Sequence, residues 1–193
     1  MKAGINGVTE STPKETVFGP GTIHKGLKYT GSAWNFAESI VGATSEGTKL
    51  SIVPEITRPE IDGVWVPVKG LARKTGEKAT LETKFVSITP DIMKAATLGQ
   101  AGTPGTDGNP VIVSKAEILD TDYWENVAYV GTMLDGEPII AILDNALCTS
   151  GFEPESKNKE NATIAMTFEC HADLTGDMES LPWRIIYPDR TGA

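Results

Sequence analysis

The chain has 193 residues, 39% of them hydrophobic, which is enough to bury a core in one domain. A net charge of −9 and only two cysteines exclude a broadly basic nucleic-acid grip and a disulfide framework. No apolar run near Met1 is long enough for a signal peptide or a membrane span, so synthesis in a cytoplasm, with no membrane partner, is the expectation.

Residues 1–16, MKAGINGVTESTPKET, lack apolar periodicity and read as a flexible N-terminal arm ahead of one β domain over residues 17–193. Gly21 to Tyr29, with Ile23 and Leu27, is a candidate first strand, and Trp34 to Val41 fits either a short helix or a strand. Gly42 to Lys49, GATSEGTK, superficially resembles a phosphate loop. That motif needs Lys before Ser or Thr and a helix afterwards, whereas here Thr48 precedes Lys49 and a strand follows, so its glycines are expected to make a turn.

The stretch Lys49 to Gly99 organises the rest. Asp62-Gly63 lies between two runs rich in Ile, Val and Trp, and Asp-Gly supplies the positive φ of a tight turn. Lys49 to Ile61 and Val64 to Ala72 are therefore expected as the arms of a hairpin. Pro54, Pro59 and Pro67 cannot donate to a ladder, which confines this hairpin to a sheet edge. Val64, Trp65 and Val66 near its tip present apolar area that either folds back over the core or is covered by another chain. Ala79 to Ile88 reads as the returning strand, with Ala79, Leu81 and Phe85 on one face. Thr89-Pro90-Asp91 then caps a short helix, Pro90 to Leu98, that ends at Gly99 and packs Ile92, Ala95, Ala96 and Leu98 on a sheet.

Residues 99–110, GQAGTPGTDGNP, form a loop, and Val111 to Leu119 reads as strand. Asn126 to Leu134 and Pro138 to Leu147 form a second hairpin about Asp135-Gly136, with Ile139 to Leu143 apolar throughout, as a strand covered on both faces requires. After a polar connection, Ser150 to Asn161, the residues Ala162, Ile164, Met166, Phe168 and Cys170 alternate with polar neighbours, and Trp183 to Tyr187 closes the chain as a last strand. Seven to nine strands, one or two short helices and no βαβ rhythm predict a mainly β fold, a β-sandwich or barrel with a flanking helix and a protruding arm at about residues 50–75.

Signals for chemistry are sparse. His24, His171, Cys148 and Cys170 lack metal-ligand spacing, and buried thiols are the preferred interpretation; no metal or cofactor is expected. Asp120, Asp122 and Glu125 cluster before a strand without the spacing of a calcium loop, and a solvated turn is preferred. There is no GxSxG elbow, so an enzyme is not expected. The charge distribution says more: residues 1–116 hold 13 Lys and Arg against 11 Asp and Glu, residues 117–180 hold 2 against 14, and residues 181–193 add +1. A soluble acidic surface is the simpler interpretation and the preferred one for a single chain; the sharper one is that ends of opposite sign attract head to tail, in a contact that closes into rings or runs on as a filament.

In their order, GATSEGTKLSIVPEITRPEIDGVWVPVKGL, TLETKFVSITPDIMKAATLG, PIIAILDNALCTSGFEPESKNKENATIAMTFECHAD and PWRIIYP resemble segments of the major tail tube proteins of long-tailed bacteriophages. The resemblance runs from about Gly42 to Pro188. It implies a β-sandwich or barrel of the tail tube type, assembled as hexameric rings stacked head to tail into a hollow tube. Such a tube sits in the virion tail, is built in the host bacterial cytoplasm with tape measure protein and other tail components, and conducts genomic DNA without binding it specifically. A hairpin arm that reaches neighbouring subunits would cover Val64, Trp65 and Val66, with Lys69 and Arg73 or Glu60 and Asp62 tuning its register.

Two other classes remain open. A monomeric binding or adhesion module, for carbohydrate or a host surface, would use Trp34, Trp65 and Trp124 as a stacking platform. An acid-assisted hydrolase would use the cluster from Asp120 to Glu125.

Overall fold

A computed structural model describes residues 7–176 and 178–189. The protein is mainly β, 42% strand against 10% helix, and is built on one large antiparallel sheet. The described elements are α1 (Thr12–Glu15), β1 (Val17–His24), α2 (Phe36–Ser39), β2 (Thr44–Thr57), β3 (Arg73–Phe85), α3 (Pro90–Thr97), β4 (Gln100–Ala101), β5 (Ile112–Val113), β6 (Trp124–Met133), β7 (Pro138–Cys148), β8 (Pro154–Glu155), β9 (Thr163–Cys170) and β10 (Trp183–Ile186). The main sheet runs β1-β6-β7-β9-β3-β2, with β10 added on β7 and β8 on β9.

The apolar run in β7 makes it the hub. One edge pairs with β6 from Thr132↔Pro138 to Trp124↔Ala146, in the hairpin expected about Asp135-Gly136. The other edge is shared: Ile140 to Leu143 pair with β10, and Ala146 to Cys148 pair with β9. At the fork Asp144 N donates to Pro182 O and His171 N to Asn145 O, each at 2.9 Å, so the diverging backbone keeps its hydrogen bonds.

Both faces of β7 are buried. Leu143, Ala146 and Cys148 join a core with Ile23, Val127, Leu81, Phe85, Phe168 and α3, while Ile140 and Ile142 pack with Leu27, Ala128, Trp34 and Phe36. The first cluster brings residues of β1 and β6 against residues of β3 and β9, from opposite parts of the sheet order, and Trp124 lies 5.2 Å from Phe168 between ring centroids.

Several sequence expectations hold closely. Ile164, Met166, Phe168 and Cys170 face the core from β9, and Thr89 Oγ1 accepts from Ile92 N at the start of α3. Ile92, Ala95 and Ala96 are buried as expected; the left-handed cap residue is Leu98, φ 49°, rather than Gly99.

Others are corrected. Val64 to Ala72 is not a strand: β2 pairs with β3, which begins at Arg73, and residues 58–72 form the loop between them. Pro59 removes a ladder donor from the end of the expected first arm and Pro67 one from the expected second. Val111 to Leu119 shrinks to Ile112–Val113, paired only with Gln100–Ala101, because no longer strand lies beside it. Glu46 and Gly47, at φ 61° and 80°, form a bulge inside β2 where a turn was expected. Residues 1–6 of the expected flexible arm lie outside the described residues. The rest of it is partly ordered, since α1 forms and Leu134 N donates to Thr16 O at 3.0 Å.

Candidate assembly interface

β2 is an edge strand, as its Pro54 demands. β3 pairs with β9 only from Thr80 onward, so the outer part of the β2–β3 ladder, from Val53↔Lys78 to Thr57↔Arg73, has no further strand beside it. At about 3.3 Å per residue this ladder extends about 20 Å beyond its last three-stranded level, Ser51↔Thr80↔Glu169. Val53 to Thr57 and Arg73 to Thr75 are exposed, and Thr57 Oγ1 and Thr75 Oγ1 lie 2.9 Å apart across the ladder.

The loop at its end is folded by two glycine turns. Val64 N donates to Ile61 O at 3.1 Å with Gly63 at φ 81°, and Leu71 N donates to Val68 O at 3.3 Å with Gly70 at φ 95°. These positive φ angles are ones that side chains other than glycine adopt at a cost. Pro67 between the turns leaves the loop no ladder of its own.

Every expected contact residue, Glu60, Asp62, Val64, Trp65, Val66, Lys69 and Arg73, lies on this arm and is exposed. Trp65 is 93% exposed and Val66 68%, so the tip does not fold back over its own core. Among the described residues, Arg58, Glu60, Asp62, Lys69 and Arg73 form no ion pair. Sequence reasoning passed over Val53, Ile56, Ile61 and Val68, which are also exposed there. The signal was the proline density itself: apolar residues on a segment that cannot join a sheet remain uncovered.

Elsewhere the lysines of the outer sheet face are neutralised. Lys49 pairs with Glu82 at 3.2 Å, Lys78 with Glu169 at 3.2 Å, Lys74 with Glu77 at 2.8 Å, and Lys84 with Glu46. Of the three neighbouring cations Arg73, Lys74 and Lys78, the two lysines are therefore balanced by carboxylates.

The other candidate residues are dispersed. Asp122 is held by a half-buried ion pair to Lys115 and accepts from Leu119 N at 2.7 Å, whereas Glu125 reaches Lys28 at 3.8 Å on the surface. Burial opposes ionisation of Asp122, but Lys115 and the Leu119 N–H outweigh it and hold the carboxyl below its ordinary range. His24 is buried between Thr22 Oγ1, 2.7 Å from Nε2, and Ser39 Oγ, 2.8 Å from Nδ1, and that burial lowers its pKa. His171 sits edge-on to Tyr123. Cys170 is buried, which pushes its thiol up to about 11, and among the described residues no three His, Cys, Asp or Glu gather as metal ligands. Trp124 is 5% exposed and lies beneath Lys25, while Trp34 is packed between Tyr29 and Phe36, so the three tryptophans do not form one exposed platform.

Comparison with models of known protein families and with curated proteins gives no match for this chain. Among the described residues no helix is long and apolar enough to cross a membrane. What is established is a mainly β protein with a large antiparallel sheet and an exposed apolar arm.

Proposed function

We propose that the chain is a structural subunit that polymerises through its arm, in the manner of a major tail tube protein of a long-tailed bacteriophage. The observation that carries the proposal is Trp65, 93% exposed at the end of a ladder that is itself exposed. An indole in water forgoes a burial that stabilises by about 2–3 kcal/mol, and with Ile61, Val64, Val66 and Val68 exposed on the same loop it belongs to an apolar patch of the kind that supports an interaction surface. The sequence resemblance supplies the kind of partner: further copies of the chain, in hexameric rings stacked head to tail.

The contact between opposite parts of the sheet order supports a sandwich or barrel of the tail tube type, with α3 as its flanking helix. The paired lysines of the outer sheet face support a conduit, because a lumen with unpaired cations would hold phosphates instead of letting DNA slide. Tape measure protein and other tail components would meet the assembled rings, in a virion tail built in the host cytoplasm.

The test is negative-stain electron microscopy with light scattering on the wild type and on Trp65→Ala. Rings or tubes of uniform width that disappear in the variant support the proposal. A particle of one chain that binds glycans would instead favour an adhesion module, although the burial of Trp124 removes one wall of its platform.

A further inference from the structure

The arm changes register near its base. Glu55 pairs with Gly76 and Ile56 with Lys74, so Thr75 has no partner on β2 and forms a bulge in β3. In a regular strand, residues three apart point to opposite faces. The extra residue reverses that alternation, and Lys74 and Glu77 come to share a face, with Lys74 Nζ 2.8 Å from Glu77 Oε1. Bulge and ion pair are one construction.

Glu77 has a second set of partners. Trp183 Nε1 donates to its Oε2 at 2.9 Å, the Leu181 N–H also donates to the carboxylate, and the side chain is only 8% exposed. Inside the bulge, β3 is therefore fastened to residues 181–183. Outside it, the arm has two ladder pairs, Ile56↔Lys74 and Thr57↔Arg73, with no third strand beside them. The two glycine turns tie the arm only to itself, and the Thr57 and Thr75 hydroxyls meet at the bulge. Among the described residues, Lys74 is the one charged side chain beyond the bulge that pairs with a partner inside it.

We infer that Glu77 latches the arm: through Lys74 it holds residues 56–74 at one angle to residues 181–183, and the arm pivots about the Thr75 bulge when that tie is broken. The latch is a property of the single chain; its use in assembly rests on the function proposed above. A held arm presents Trp65 in one orientation, so docking has less of the chain to order at the moment of contact.

Distances between spin labels on Val66→Cys, at the tip, and Ala165→Cys, exposed on β9, test the latch in the full chain. Dilution in an excess of unlabelled protein restricts the reading to pairs within one chain, and the native Cys148 and Cys170 are buried and do not take up label. One narrow distance distribution is expected. Lys74→Met keeps the length of the side chain and removes its charge, and should broaden the distribution about twofold, as a freed hinge requires. Glu77→Gln, which keeps an acceptor for Trp183, should broaden it in the same way. Lys49→Met breaks the Lys49 pair with Glu82 in the three-stranded part of the sheet and should leave the width unchanged. A distribution already broad in the labelled parent chain overturns the inference, as do equal widths in the parent and both latch variants, or equal broadening by Lys49→Met. Broadening confined to the latch variants, with no rings from the unsubstituted protein in electron micrographs, supports the latch and sinks the self-assembly alone.

Discussion

Trp183 and Glu77, 106 positions apart in sequence, are joined by an indole N–H donated to a carboxylate at 2.9 Å. The bond fastens β10 to β3 one residue inside Gly76, where the arm leaves the body. Lys74 first, and then Trp183, hold the Glu77 carboxyl below its ordinary range. Trp183→Phe keeps most of the ring packing and removes this donor, so it should lower the thermal midpoint and speed amide exchange in residues 73–78. Unchanged exchange there would show that the arm is anchored by its ladder alone.

Core and arm should separate in stability measurements. Ile142 is 1% exposed on the hub strand, and Ile142→Ala should cost about 2–5 kcal/mol in urea unfolding. Val66→Ala, on the exposed tip, should stay within about 0.5 kcal/mol of wild type. A large loss from Val66→Ala would mean that the tip packs on its own chain in solution.

Stability should fall on mild acidification. Burial depresses the folded pKa of His24 below 6.5, so the unfolded chain takes up this proton first. The contribution is fully present above pH 6.5 and is lost as pH falls through the folded value. Glu77 and Asp122, both held below their ordinary values of 4.5 and 3.8, add a second loss at lower pH. Urea unfolding between pH 7.5 and 5.5 should show the first step, and His24→Gln should flatten it; a slope unchanged in the variant would assign the step to another group.

Thiol chemistry should be silent in the native protein. Cys148 is 2% exposed, and Cys170 is 4% exposed with its pKa near 11, so neither offers a reachable thiolate at neutral pH. A chromogenic disulfide reagent should register no fast thiol before denaturant is added and two afterwards. A fast native thiol would place one cysteine at the surface.

How much of this was legible in the sequence differs from element to element. The Asp135-Gly136 hairpin was fully legible because turn, register and apolar pattern are all local. Asp62-Gly63 does turn the chain, but the prolines around it move the first paired residues out to Thr57 and Arg73. The fork at Asp144 was illegible: which strand meets β7 on either side of it depends on β9 and β10, distant in sequence. Arg184 lies 3.1 Å from Asp144 Oδ1 without hydrogen-bond geometry, and burial raises the pKa of this carboxyl although the nearby Arg184 acts to lower it. The arm's exposed apolar residues were legible as a segment too apolar for its prolines.

Assembly dependent on Trp65 is tested most directly by electron micrographs and scattering mass of the wild type beside Trp65→Ala, both at the highest soluble concentration and both checked for the same melting temperature. Rings or tubes with a central channel from the wild type, and folded single chains from the variant, are the predicted result. Identical assemblies from both proteins would contradict it.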